Sequence, residues 1–195
     1  MKSFSFRFIA GLVAFIIGVA CVSVWLVHRY SQPKTIKPEI VEAPKIPNDT
    51  LITLERTRCY GVCPSYTLTI SADGSVVFNA KAYWATENKV HRQKESGVIL
   101  SKVSREQLLQ LISEFEKANY FSLRDSYKEE NECPGGLATD SPTVYTSFQI
   151  NGRRKAISHY HGCVGEGTVF SIYPPELFKL EKRIDEIVNT EQWMK

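Results

Sequence analysis

Two short strings hold most of the chemistry that this sequence could perform. The first is Cys59-Tyr60-Gly61-Val62-Cys63-Pro64 and the second is His159-Tyr160-His161-Gly162-Cys163. Two cysteines spaced C-x-x-x-C could be a disulfide clasp, a redox pair or two thiolate ligands for a soft metal. Tyr60 and Gly61 between them are turn residues. In the second string, strand alternation puts His159 and His161 on one side of a sheet, close enough to share a metal if Cys163 or a thiolate of the first loop joined them. A solvated strand end accounts for the same residues. Only three donors are local there, and the paired C-x-x-C spacing of structural zinc sites is absent. Glu129, Glu130, Glu132 and Asp140 crowd one loop and with His159 could serve acid–base chemistry, although a solvated acidic loop is the simpler account. Gly162, Gly165 and Gly167 match no phosphate-binding fingerprint, and there is no G-x-S-x-G or H-E-x-x-H string. No residue is assigned a catalytic or cofactor-binding role, and no cofactor is expected.

The wider run Leu54–Ile70 places Cys59, Tyr60, Gly61, Cys63, Pro64, Tyr66, Leu68 and Ile70 ahead of Asp73 and Gly74. This pattern, C-[YF]-G-x-C-P-x-Y-x-L-x-I followed by a D-G hairpin, resembles the opening motif of an uncharacterised bacterial domain-of-unknown-function family. The resemblance implies a domain and a bacterial source; it implies no reaction. The string C-x-x-x-C-P also occurs in thioredoxin-like copper chaperones, where it precedes a helix, whereas here it precedes a strand pattern.

The elements that must position these residues follow from composition and periodicity. The chain has 195 residues, 43% of them hydrophobic, enough for one ordinary domain with additional segments. Net charge is only +3, and no basic block marks a nucleic-acid surface. After a basic tail over 1–7 comes an uncharged apolar stretch over 8–27. About 20 residues at about 1.5 Å each match a bilayer core of about 30 Å, so a transmembrane anchor is expected, with Trp25 at its interface. A cleaved signal peptide is the rival, and Gly18-Val19-Ala20-Cys21 loosely resembles a lipoprotein box. Residues 28–49 form a linker in which Pro33, Pro38, Pro44 and Pro47 recur, a composition that favours extended polyproline II. Asn48-Asp49-Thr50 is a formal glycosylation acceptor with little meaning in a bacterium.

A single α+β domain is expected over 50–195, an antiparallel sheet built from hairpins with two helices packed on it. Leu51–Thr57, Ser65–Ser71 and Ser75–Tyr83 read as strands, the last two joined at Ala72-Asp73-Gly74. Lys89–Val103 reads as an edge strand or hairpin turning near Ser96-Gly97. Ser104 and Gln107 form a capping box for a helix whose stripe is Leu108, Leu111, Ile112, Phe115 and Asn119. Phe121–Ser141 reads as an irregular loop, and Pro142–Ile150 with Arg153–His161 as a hairpin around Asn151-Gly152. Pro174 and Pro175 open a helix with Leu177, Leu180, Ile184 and Ile187 on one face.

Lys and Arg on both sides of the apolar stretch leave its orientation open. The four cysteines outside it, Cys59, Cys63, Cys133 and Cys163, are an even number and suit an oxidising compartment, so the domain is expected outside the cytoplasm, in the periplasm if there are two membranes. Local context favours Cys59 with Cys63 and Cys133 with Cys163, although four cysteines allow three connectivities. Three functional readings follow. The first is a membrane-tethered, disulfide-stabilised binding or structural module of the cell envelope, acting on an unknown envelope protein or ligand. The second is a thiol-redox or soft-metal protein using Cys59 and Cys63 with His159 and His161, and the third a hydrolase with an unrecognised acid–base site.

Overall fold

The computed structural model describes residues 44–61, 63–81, 97–167 and 171–194, with Val22, Trp25, Leu26, His28 and Arg29 in helical conformation nearer the N-terminus. Except for Val22, Trp25 and Leu26, the expected transmembrane helix over 8–27 lies outside the described residues. Among the described residues no helix is long and apolar enough to cross a membrane.

From Pro44 onward the chain forms one folded unit. Its strands are β1 (Leu51–Arg56), β2 (Ser65–Ser71), β3 (Ser75–Lys81), β4 (Val98–Lys102), β5 (Ser126–Tyr127), β6 (Thr143–Ile150) and β7 (Arg153–Tyr160). Its helices are α1 (Arg105–Lys117) and α2 (Pro175–Val188). The strands make one seven-stranded sheet in the order β4-β3-β2-β1-β6-β7-β5. Every pairing is antiparallel except β5 with β7, which is parallel and only two residues long. The architecture is α+β, with both helices in one hydrophobic core against the sheet.

Period-two alternation explains which side each strand buries. Ile52 and Leu54 of β1, Leu68 and Ile70 of β2, Val76 and Phe78 of β3, and Val144 and Phe148 of β6 are all buried. Leu108, Leu111 and Phe115 of α1 meet them, with the Phe115 ring stacked on Phe148 at 4.2 Å between centroids. The opposite side of the sheet is rich in Thr and Ser, and Thr53 and Ser147 share a hydrogen bond there across β1 and β6.

Local chemistry sets the ends of the elements. Ser104 Oγ accepts from Gln107 N at 3.2 Å while Gln107 Oε1 accepts from Ser104 N at 2.9 Å, closing the capping box of α1. α1 ends at Lys117, and Asn119 has left-handed φ of 47°, so Asn119 lies beyond the stripe in which the spacing had placed it. Pro175 starts α2, and Asn189 ends it with φ of 58°. Asn151 and Gly152, at φ of 52° and 71°, close the β6–β7 hairpin. The turn is held from outside by Asp49, whose carboxylate accepts from Asn151 N at 3.0 Å and Gly152 N at 2.6 Å. The last six residues before Thr50 therefore belong to the folded unit, with Arg105 Nη2 also donating to Pro44 O at 2.6 Å.

The stretch from Phe121 to Ser141 departs from the irregular loop that its lack of periodicity implied. Glu132 organises it, because one carboxylate oxygen accepts from Lys128 N at 2.9 Å, Glu129 N at 3.0 Å and Ser126 Oγ at 3.1 Å. These bonds hold the Glu132 carboxyl below its usual range. Beyond it, residues 135–138 run beside 162–164 through Gly135 N to Val164 O at 2.8 Å, Val164 N to Gly136 O at 3.0 Å and Ala138 N to Gly162 O at 2.7 Å. Of the Lys89–Val103 region, Val98–Lys102 is edge strand β4, and residues 89–96 lie outside the described residues.

Candidate functional site

The sheet register draws distant residues into one row. Tyr66 of β2 lies opposite Arg56 of β1, Arg56 opposite Val144 of β6, and Val144 opposite His159 of β7. All four lie on the helix side, and α2 crosses over them. A helix that is apolar on this face would meet the row with leucine and isoleucine throughout. Instead α2 offers Glu181 and Asp185, four residues apart and therefore stacked on one face.

Glu181 is fully buried, as is His159. His159 Nδ1 lies 2.9 Å from Glu181 Oε1 and 3.0 Å from Oε2, and His161 Nε2 lies 2.7 Å from Oε2. On its other side His159 Nε2 faces the Tyr173 carbonyl oxygen at 3.0 Å. A carbonyl only accepts, so Nε2 carries a hydrogen and donates it. An ionised Glu181 also only accepts, so Nδ1 of His159 and Nε2 of His161 donate to it. Thr146 Oγ1 adds a longer bond to Glu181 Oε1 at 3.4 Å. The rings are seated by aromatic edges, His159 by Tyr127 and His161 by Phe178, at centroid distances of 6.2 and 5.3 Å.

One helical turn on, Asp185 Oδ2 accepts from Arg56 Nε at 2.9 Å and Nη2 at 2.7 Å. Its other oxygen accepts from Tyr66 Oη and from Thr190 Oγ1, and Arg56 Nη2 also reaches the Glu181 carbonyl at 3.2 Å. Burial alone would lower the Arg56 pKa, but the charge of Asp185 and its neighbours raises it, so the guanidinium stays charged. Burial pushes the Tyr66 hydroxyl well above its ordinary range, and Asp185 pushes it further.

Burial by itself would raise the carboxyl pKa of Glu181, but the hydrogen bonds and charge of the two histidines outweigh it and hold the group below the usual range. His161 is pushed below the imidazole range by burial, with the bond and charge of Glu181 opposing this in part. Both folded-state values lie below those of the unfolded chain, so on acidification the unfolded chain takes up protons first. The contribution of these groups to stability is complete above about pH 6.5. It is lost as pH falls through the folded values, Glu181 adding its part below about pH 4.3. Through these two groups melting temperature should fall as pH drops below about 6. His161→Gln should flatten the upper part of that slope, and a protein that gains stability on acidification would contradict the assignment.

The cysteines are arranged differently from a thiolate site. Cys59 is bonded to Cys63 in the β1–β2 loop, and Cys133 to Cys163 where residues 135–138 meet 162–164. Cys163, Cys59 and Cys63, the thiolates that could have joined the histidines at a metal, are each paired in a disulfide. The third partner of the histidines is Glu181. The carboxylate that meets His159 also comes from α2 and not from the loop of Glu129, Glu130, Glu132 and Asp140. Apolar spacing names Leu177, Leu180, Ile184 and Ile187 and passes over Glu181. The available signal was that Glu181 falls at i+4 from Leu177 and i−3 from Ile184, inside that stripe. Arg56, Tyr66 and Asp185 left no comparable local signal.

Fold and site together define an α+β domain with disulfide-closed loops and a buried charged row beneath its C-terminal helix. The chain belongs to the family described as a domain of unknown function, DUF6438, whose model matches residues 50–188. No curated protein matches it.

Proposed function

We propose that the protein is a membrane-tethered module of the bacterial cell envelope, its disulfide-stabilised domain held outside the cytoplasm to bind or brace a partner there, without enzymatic activity. The observation that carries this reading is the pairing of Cys59, Cys63, Cys133 and Cys163 into two disulfides. Such pairs persist in oxidising compartments and are rare in the cytosol. The apolar sequence over 8–27 and the proline-rich residues after it supply the tether and spacer. Trp25, with the Arg29 guanidinium 4.9 Å from its ring centroid, suits the membrane interface. For a partner, the domain offers Tyr60 at the tip of the Cys59–Cys63 loop, 87% exposed, and exposed apolar groups at Val77, Val98, Leu100 and Tyr145.

Cell fractionation tests the reading. The full chain should sediment with membranes, a chain beginning at Pro44 should not, and protease added after outer-membrane permeabilisation should digest the domain in intact cells. Full-length protein in the soluble cytosolic fraction, or a domain protected from that protease, would overturn it.

A further inference from the structure

We propose that His159, His161 and Glu181 form a binding site for a borderline divalent cation of the zinc class. This goes beyond the envelope role and does not depend on the tether. One ligand atom from each residue lies within 4.8 Å of the others. Two imidazoles and one carboxylate are a donor set that zinc takes with a fourth position left open. Thiolates play no part in it, since Cys163, the nearest cysteine in sequence, is bonded to Cys133.

Three features separate this cluster from an ordinary buried ion pair. First, the Nε2 hydrogen of His159 is committed to the Tyr173 carbonyl at 3.0 Å, which orients the ring and turns Nδ1 toward the other donors. An imidazole bound to metal through one nitrogen characteristically donates the other N–H in this way. Second, the donors sit on rigid elements, His159 on β7 with His161 next to its end and Glu181 inside α2, with Thr146 Oγ1 at 3.4 Å from the carboxylate as an outer support. Third, His159 and Glu181 are fully buried while the His161 side chain keeps 10% exposure, so an ion reaches the site from the His161 side.

The required movement is small. Donor pairs now lie 2.7 to 3.0 Å apart across hydrogen bonds. Tetrahedral coordination at about 2.0 to 2.1 Å places ligand atoms about 3.3 Å apart, so Glu181 moves off each ring by about half an ångström while the two ring nitrogens, within 4.8 Å of each other, draw together. The cation takes the place of the hydrogens now lying between Glu181 and the rings. His159 releases its Nδ1 proton to solvent, and His161 keeps one hydrogen by moving it to Nδ1. The nearby Arg56 charge is already neutralised by Asp185 at 2.7 Å, so it does not bar a cation from the cluster.

Cobalt(II) and zinc titrated into the full chain near neutral pH test the proposal. The expected result is one cobalt per chain with a visible d–d spectrum and no near-ultraviolet thiolate band, and a melting temperature that rises with zinc. His161→Gln, at the partly exposed ligand, should keep its β-sheet circular dichroism and bind zinc about 100-fold more weakly. Glu181→Gln should do the same if it folds, and if it does not, His161→Gln alone decides. No cobalt spectrum and no thermal shift in the natural chain would overturn the proposal. So would a thiolate band, or zinc affinity unchanged in a folded His161→Gln protein.

Discussion

Glu181→Ala is expected to lower the melting temperature by about 10 °C, more than any other single substitution on α2. Its carboxylate is fully buried and accepts from two histidines, so truncation leaves two ring N–H donors, one of them fully buried, without their acceptor. Breaking one side of a buried pair costs about 3 to 5 kcal/mol. For a domain of this size about 1 kcal/mol corresponds to about 2 to 4 °C. Asp185→Ala should cost less, because Arg56 and Asp185 keep 13% and 22% side-chain exposure and water can replace part of the lost bond. The mechanism has a sharper signature in the double substitution of His159 and Glu181 by leucine. Removing Glu181 together with the fully buried His159 leaves only the partly exposed His161 without its acceptor, so the double variant should be more stable than Glu181→Ala. Thermal melts of the three variants check the order, and a Glu181→Ala protein as stable as the natural chain would show that the cluster does not hold α2 to the sheet.

The second large effect is expected at the long disulfide. Cys133 and Cys163 are 30 residues apart, whereas Cys59 and Cys63 are separated by four. By the chain-entropy estimate the longer closure contributes about 3 to 4 kcal/mol and the shorter about 2. Both sulfurs of the longer pair belong to buried residues, so Cys133→Ser also places a hydroxyl and a free thiol in the interior. Cys133→Ser should therefore lower the melting temperature by about 10 °C, roughly twice the effect of Cys63→Ser. The segment 129–140 should become the first site of proteolysis, since the backbone bonds from 135–138 to 162–164 then lack their covalent clamp. Equal losses in the two variants, or first cleavage elsewhere, would refute this ranking.

Features whose cause is local were readable before the structure. Alternation in Tyr66, Leu68 and Ile70, the Ser104–Gln107 box and the Asn151-Gly152 turn each specify a conformation over a few residues, and β2, α1 and the β6–β7 hairpin follow from them. Features decided by long-range register were not. β5 is two residues long and has a parallel partner that no local pattern names. Arg56, Tyr66 and His159 become neighbours only because β1, β2, β6 and β7 pair in one register. The histidine pair is visible as a motif, but the sequence offers thiolates, Cys163 or those of the first loop, as its nearest partners. Chemistry supplied that partner from α2, where a carboxylate among leucines and isoleucines is tolerated because two ring nitrogens meet it.

A domain held in an oxidising compartment, as proposed, keeps its four cysteines paired. Peptide mapping of the full-length protein, isolated from cells with free thiols alkylated before lysis and digested without reductant, tests it most directly. The account predicts linked peptides Cys59–Cys63 and Cys133–Cys163 with none of the four cysteines alkylated. Alkylation of all four, or a Cys59–Cys133 or Cys63–Cys163 link, would contradict it.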